Sequence, residues 1–151
     1  PRSMEGVTVV YERSFSIGAL MAPSHPLAKR KTVSVKDCME YPLALPARGL
    51  SLRAALERVL ARHVAGKPPR LQSNSLRLTA TLSRAGQCIA FQTSVGIDAE
   101  LKRKTLVLVP LSDRSILSNR FVVMCETGRT ANPALIAFVE FARSHLQDHR
   151  E

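Results

Sequence analysis

Three polar turns hold the residues whose types and spacing suit recognition chemistry: Ala47–Ser51, Ser73–Ser75 and Phe91–Ser94. Each follows a short apolar stretch, and the first two lead into a stretch with helical spacing. A strand-to-helix turn leaves backbone N–H groups free, and these together with the helix dipole favour a negative group. Arg48 adds a fixed positive charge whose planar fork matches a carboxylate. Gly49, beside it, lets a ligand approach the backbone. Ser51, Asn74, Ser75, Gln92 and Thr93 offer neutral hydrogen bonds. The set suits a small organic acid or a polar metabolite. Taken singly, each serine has a plainer explanation, because Ser51 and Ser75 are expected to cap the helices that follow them.

The stretch Arg70–Gln92 is expected to position the second and third turns. It reads as strand, polar turn, helix, glycine stop and strand. Asn74 and Ser75 cap the helix, and Leu78, Leu82 and Ala85 fall on one face. Gly86 stands where a left-handed C-cap residue belongs. Cys88–Phe91 fits a buried strand. Strand–helix–strand with short links is the unit of a parallel α/β sheet, and ligands bind such sheets beyond the carboxyl ends of the strands.

Upstream, Val7–Tyr11 and Phe15–Ala22 read as strands, and Ser24-His25-Pro26 as a turn. Lys29–Lys36 is a polar connector, followed by a helical turn at Val35–Met39. Tyr41–Leu45 reads as a buried strand ending at Pro46. A helix runs from Ser51 to about His63, with Leu52, Leu56, Val59, Leu60 and His63 inward and Arg53, Arg58 and Arg62 off that stripe. Ala65–Pro69 breaks the chain. Downstream come a short helix over Val95–Arg103, a strand over Thr105–Leu111, a polar link over Ser112–Asn119 and a strand over Phe121–Glu126. After a loop at Thr127–Thr130, Asn132 caps a final helix with Pro133 in its first position. Leu135, Phe138, Val139, Ala142 and Leu146 form its buried stripe.

Composition bounds the function. The 151 residues make one domain or two small lobes, and 45% apolar residues imply a folded chain with an aliphatic core, since Trp is absent. No apolar run reaches membrane-spanning length, and PRSMEG does not resemble a secretion signal. A start at Pro1 rather than Met predicts a fragment or a processed form. Cys38, Cys88 and Cys125 are too scattered for a disulfide framework or a zinc site, which favours reduced thiols in a cytoplasmic protein. His145 and His149 are four apart, but they read as a solvated helix end rather than a metal site. His25 reads as a turn residue, because no nucleophile or carboxylate stands beside it. The net charge of +10 is spread over Lys29–Lys31, Arg58, Arg62, Lys102–Lys104 and Arg129 without interleaved aromatics. A solvated basic surface explains it best, ahead of steering of an anionic ligand and of direct DNA binding. No nucleophile elbow, P-loop or metal motif is present, and Asp37, Asp98 and Asp113 are scattered, so no catalytic residue, cofactor or metal is expected.

The order of segments carries a resemblance. HPLA at His25–Ala28 precedes YPLALPARGLSLR at Tyr41–Arg53. LQSNS at Leu71–Ser75, LSRAGQCIAF at Leu82–Phe91 and TLVLVPLSD at Thr105–Asp113 follow, and NPALIAFVEFAR at Asn132–Arg143 closes the series. Together they resemble the C-terminal part of a LysR-type transcriptional regulator, from about Phe15 onward. Three positions depart from the family's pattern. Cys88 and Lys104 stand where glycine is common, and Gln92-Thr93 stand where Leu-Pro is common.

The resemblance implies an α/β fold of the type 2 periplasmic-binding-protein kind, with a mostly parallel sheet flanked by helices on both faces. It implies remnant strands of a first lobe and a crossover over 1–24, a second lobe over 25–126, and a helix returning toward the first lobe over 127–151. It implies a small, anionic effector in the cleft between lobes, touching Arg48, Gly49, Ser51, Asn74, Ser75, Gln92 and Thr93. It also implies homo-oligomers through the effector domain, and DNA contact only through a winged helix-turn-helix domain that this sequence lacks. The alternative is a solute-binding protein of a transporter, which shares the architecture but normally carries a secretion signal.

Overall fold

The computed structural model describes residues 6–63, 68–113, 116, 118–128 and 132–147, and within them every side chain except those of 62, 63 and 147. The expectations for the side chains of Arg62 and His63, for Arg129 and for His149 lie outside that set. The elements run β1 (Val7–Ser16), β2 (Gly18–Met21), α1 (Val35–Cys38), β3 (Leu43–Pro46), α2 (Ser51–His63) and β4 (Leu71–Ser73). They continue with α3 (Leu76–Arg84), β5 (Ile89–Gln92), α4 (Asp98–Lys102), β6 (Val107–Pro110), β7 (Ser118–Glu126) and α5 (Pro133–Gln147). Contacts divide the chain into two compact units, Ser16–Asn119 and Pro1–Phe15 with Arg120–Glu151.

The larger unit is built on a five-stranded sheet in the order β4-β3-β5-β2-β6. β3 pairs in parallel with β4 and β5, whereas β2 pairs antiparallel with β5 and β6. Four strands thus run one way and β2 runs against them. The expected mostly parallel sheet holds for the β4-β3-β5 half only. A fully buried strand reads the same in either direction, so the apolar residues of β2 carry no sign of its reversal. Gly18 is needed where β2 meets β6: a Cβ there would lie 2.7 Å from Leu108 Cγ and 2.9 Å from the Val109 carbonyl oxygen.

Alternation along the strands sorts the core into two faces. Ala19, Met21, Leu43, Leu45, Ile89 and Phe91 join Leu52, Leu56, Val59 and Leu60 of α2 in one cluster. Leu20, Ala44 and Ala90 join Ala80 of α3 with Cys88, Ile97 and Leu106 in the other. Helices therefore cover both faces, as expected. The face under α3 is made of smaller residues, and α3 answers with Thr79, Ala80 and Ser83 as its buried residues. The expected stripe of Leu78, Leu82 and Ala85 is corrected accordingly: Leu78 is exposed and Leu82 only half-buried. A helix lying close over small sheet residues buries small side chains and turns its leucines outward.

Other boundaries shift for local reasons. β1 runs unbroken to Ser16, and the break falls at Ile17, where the chain leaves the two-stranded β1-β7 sheet for the five-stranded one. α4 begins at Asp98 rather than Val95, because Gly96 takes a φ of +83° in the turn closed by Ile97 N–H to the Ser94 carbonyl. In the smaller unit, β1 and β7 are tied by Arg120 to Glu12 at 3.3 Å and by Phe15 edge-on to Phe121. Asn132 Oδ1 accepts from Ala134 N–H at 2.9 Å, so the expected cap of α5 is present. Val139 and Leu146 are buried on α5, but Phe138, expected in that stripe, is 55% exposed.

Candidate functional site

The rim is set by strand direction. β3, β4 and β5 are parallel neighbours, so their carboxyl ends lie at one edge of the sheet. Pro46 of β3 stands beside Ser73 of β4. Leu43 and Ala44 stand beside Ile89 and Ala90, and continuing that register brings Pro46 beside Gln92. The backbones of all three predicted turns therefore meet at this edge. Ala47 N–H donates to the Ser73 carbonyl at 2.9 Å and fastens the first turn to the second. α2 and α3 both start here.

The side chains are less uniform. Arg48, Gly49, Ser51, Asn74 and Ser75 are exposed, and Thr93 is half-buried. Gly49 has φ of +90° with open space around its Cα, so it serves the turn and leaves the backbone approachable. Ser51 is not a cap. Ala54 N–H donates to the Leu50 carbonyl at 3.0 Å, which makes Leu50 the residue that opens α2 and Ser51 the first within it. Ser75 is a cap, with its Oγ accepting from Leu78 N–H at 3.2 Å. Ser75 N–H in turn donates to Ser73 Oγ at 3.0 Å.

Gln92 is 1% exposed, so it is no free donor at the rim. Its Nε2 donates to Thr79 Oγ1 at 2.7 Å and to the Leu76 carbonyl at 3.0 Å. These bonds strap β5 to the first turn of α3. Its Oε1 has no hydrogen-bond partner among the described residues.

Sequence reasoning missed two acidic residues with structural work. Asp37 closes a capping box on α1: Ser34 N–H donates to Asp37 Oδ2 at 2.8 Å, and Asp37 N–H donates to Ser34 Oγ at 3.1 Å. The Ser34 hydroxyl, which donates to Asp37 Oδ2 at 2.7 Å, then the Ser34 N–H and Arg30 at 3.5 Å hold the Asp37 carboxyl below the usual carboxylate range. The Ser34–Asp37 spacing was a readable signal. Asp113 Oδ2 accepts from Val35 N–H at 2.7 Å across the fold, for which no local signal exists. Burial pushes the Cys38 thiol up to about 12 and raises that of Cys88 as well, so neither is a thiolate near neutral pH. No group of three or more His, Cys, Asp or Glu residues is placed to hold a metal among the described residues.

The arrangement is a sheet edge with three turns, two helix N-termini and an exposed cation in Arg48. The LysR substrate binding domain family matches residues 1–147, and the chain belongs to that family. The fold agrees. The effector-binding domain of QuiR in complex with shikimate superposes with a TM-score of 0.68 at 14% identity, covering 100% of this chain and 70% of that one. HinK, a LysR family transcriptional regulator from Pseudomonas aeruginosa, gives 0.70 at 17% identity over 97% of this chain and 50% of its own. The regulatory domain of CcmR from Synechocystis PCC6803 in complex with 2-PG gives 0.69 at 16% identity, with 93% and 67% covered. This chain thus spans between 50% and 70% of the length of these three. No curated protein matches it.

Proposed function

We propose that this chain is the ligand-sensing part of a LysR-type regulator, and that the rim at Arg48, Gly49, Ser51, Asn74, Ser75 and Thr93 supplies the second-lobe half of its effector site. The observation that carries the reading is the meeting of three parallel strand ends at the start of α2 and α3. Such an edge offers unpaired N–H donors to one volume, and Arg48 adds the positive charge, so a small anion is the favoured effector. That the QuiR domain is in complex with shikimate and the CcmR domain with 2-PG supports the chemical class. Gln92 acts here as a strut that holds β5 against α3 rather than as a ligand contact.

The sensing role needs no catalysis. DNA contact belongs to a winged helix-turn-helix domain of the whole regulator, self-association runs through the effector domain, and the protein works in the cytoplasm. The family match weighs against a transporter's solute-binding protein. Crystals soaked with small carboxylates test the site: density is expected against Gly49 and the α3 N-terminus. Density confined to Lys29–Lys31 and Lys102–Lys104 would remove the rim from consideration.

A further inference from the structure

A second feature of the larger unit shares only Arg48 with the rim. A cavity of about 620 Å³ opens between α2 and the β3–β4 side of the sheet, within the size range of small-molecule sites. Met39, Leu43, Leu45, Leu60 and Pro69 give it apolar walls. Arg53, on α2, also lines it. The spacing along α2 placed Arg53 off the buried stripe, yet its side chain is 10% exposed. Its Nε and Nη1 have no hydrogen-bond partner among the described residues. Glu57, the opposite charge paired with it among the described residues, reaches Nε only at 3.5 Å and is itself 49% exposed.

A guanidinium taken out of water costs free energy unless its N–H groups are paired, and a half-solvated carboxylate outside hydrogen-bond geometry pairs it poorly. The charges lining the cavity lean positive, with Arg48, Arg53 and Arg70 against Glu40 and Glu57. Arg70 is partly engaged, donating to Gln87 Oε1 at 3.1 Å. One monoanion would balance the set, and the apolar walls select its body.

We propose that this cavity binds a small monocarboxylic acid with an apolar tail, its carboxylate on the Arg53 guanidinium and its tail along Leu43, Leu45 and Leu60. The described lining residues all belong to the Ser16–Asn119 unit. Of the rim residues only Arg48 borders it, and the inference stands whether or not the rim binds an effector.

The test is an NMR titration of the chain, read at both methyl and amide resonances, with octanoate, and with octanamide as the neutral counterpart. Octanoate is expected to shift the methyls of Met39, Leu43, Leu45 and Leu60 saturably, and octanamide to bind about tenfold more weakly or worse, as loss of a charge-assisted pair implies. Arg53→Met should abolish the preference for the acid, and Leu60→Trp should block both ligands by filling the cavity. Equal binding of acid and amide overturns the proposal, as does the absence of saturation at millimolar octanoate. Shifts confined to the amides of Ser51, Ser75 and Thr93 also overturn it, and would credit the rim instead. Should Arg53→Met fail to fold, the acid-to-amide ratio in the unaltered chain decides alone.

Discussion

Two residues of different type close their helices with the same backbone device. Gly86 ends α3 at φ +69°, with its N–H donating to the Ser83 carbonyl and Gln87 N–H donating to the Leu82 carbonyl. Lys104 ends α4 in the same way at φ +56°, with bonds from Lys104 N–H to Leu101 and from Thr105 N–H to Glu100. Both are Schellman ends, for which glycine is the unstrained choice. A side chain in left-handed geometry costs roughly 1–2 kcal/mol. Lys104→Gly is therefore expected to stabilise the protein by about 1 kcal/mol in chemical denaturation, offset in part by the looser unfolded chain. An unchanged or lowered midpoint would contradict this. His25 carries a pH dependence. Its ring packs on Tyr41 at 4.5 Å between centroids, and its Nδ1 accepts from Leu27 N–H at 3.2 Å. Burial lowers its pKa from the ordinary 6.5. The unfolded chain then binds a proton more readily, so the contribution is full above 6.5 and lost as pH falls through the lowered folded value. His25→Asn keeps an acceptor for Leu27 N–H but does not titrate, and its melting temperature should fall less between pH 6.5 and 5 than that of the unaltered chain. Parallel pH profiles would exclude His25 as the cause.

At the scale of elements, what was legible depended on how local its cause is. Asn132-Pro133 starting α5, Ser75 capping α3 and Gly86 closing it are written within a few residues, and each is found in place. The three rim turns were legible because apolar strand and polar turn alternate there. Arg53, Gln92 and the reversal of β2 were not. Each depends on what lies across the fold: a cavity wall for Arg53, the first turn of α3 for Gln92, and two neighbouring strands for β2. The outward turn of Leu78 has the same origin, since the small residues under α3 come from other strands. The close pairing of β2 with β6 gives a direct check. Gly18→Ala would press a methyl to 2.7 Å from Leu108 Cγ and 2.9 Å from a backbone oxygen, and overpacking of this kind typically costs about 1–3 kcal/mol. Urea unfolding should report that loss, whereas wild-type stability would mean that β6 yields easily.

At the scale of the molecule, the charge of +10 would by itself suit a nucleic-acid partner. No described element presents a reading helix with clustered base-contacting residues, and the basic residues are scattered over the sequence. Duplex DNA is therefore expected to bind weakly, with the same affinity for a palindromic site and its scrambled version, and to dissociate as salt rises. A clear preference for the palindrome at moderate salt would contradict that. The central claim is that the sheet edge formed by β3, β4 and β5 receives a small anion. Amide NMR of the chain titrated with a panel of small carboxylates tests it most directly, in the unaltered chain and in Arg48→Ala. Saturable shifts are expected at Gly49, Ser51, Asn74, Ser75 and Thr93, weakened several-fold in Arg48→Ala. Shifts only around Lys29–Lys31 and Lys102–Lys104, or rim shifts indifferent to Arg48→Ala, would contradict it.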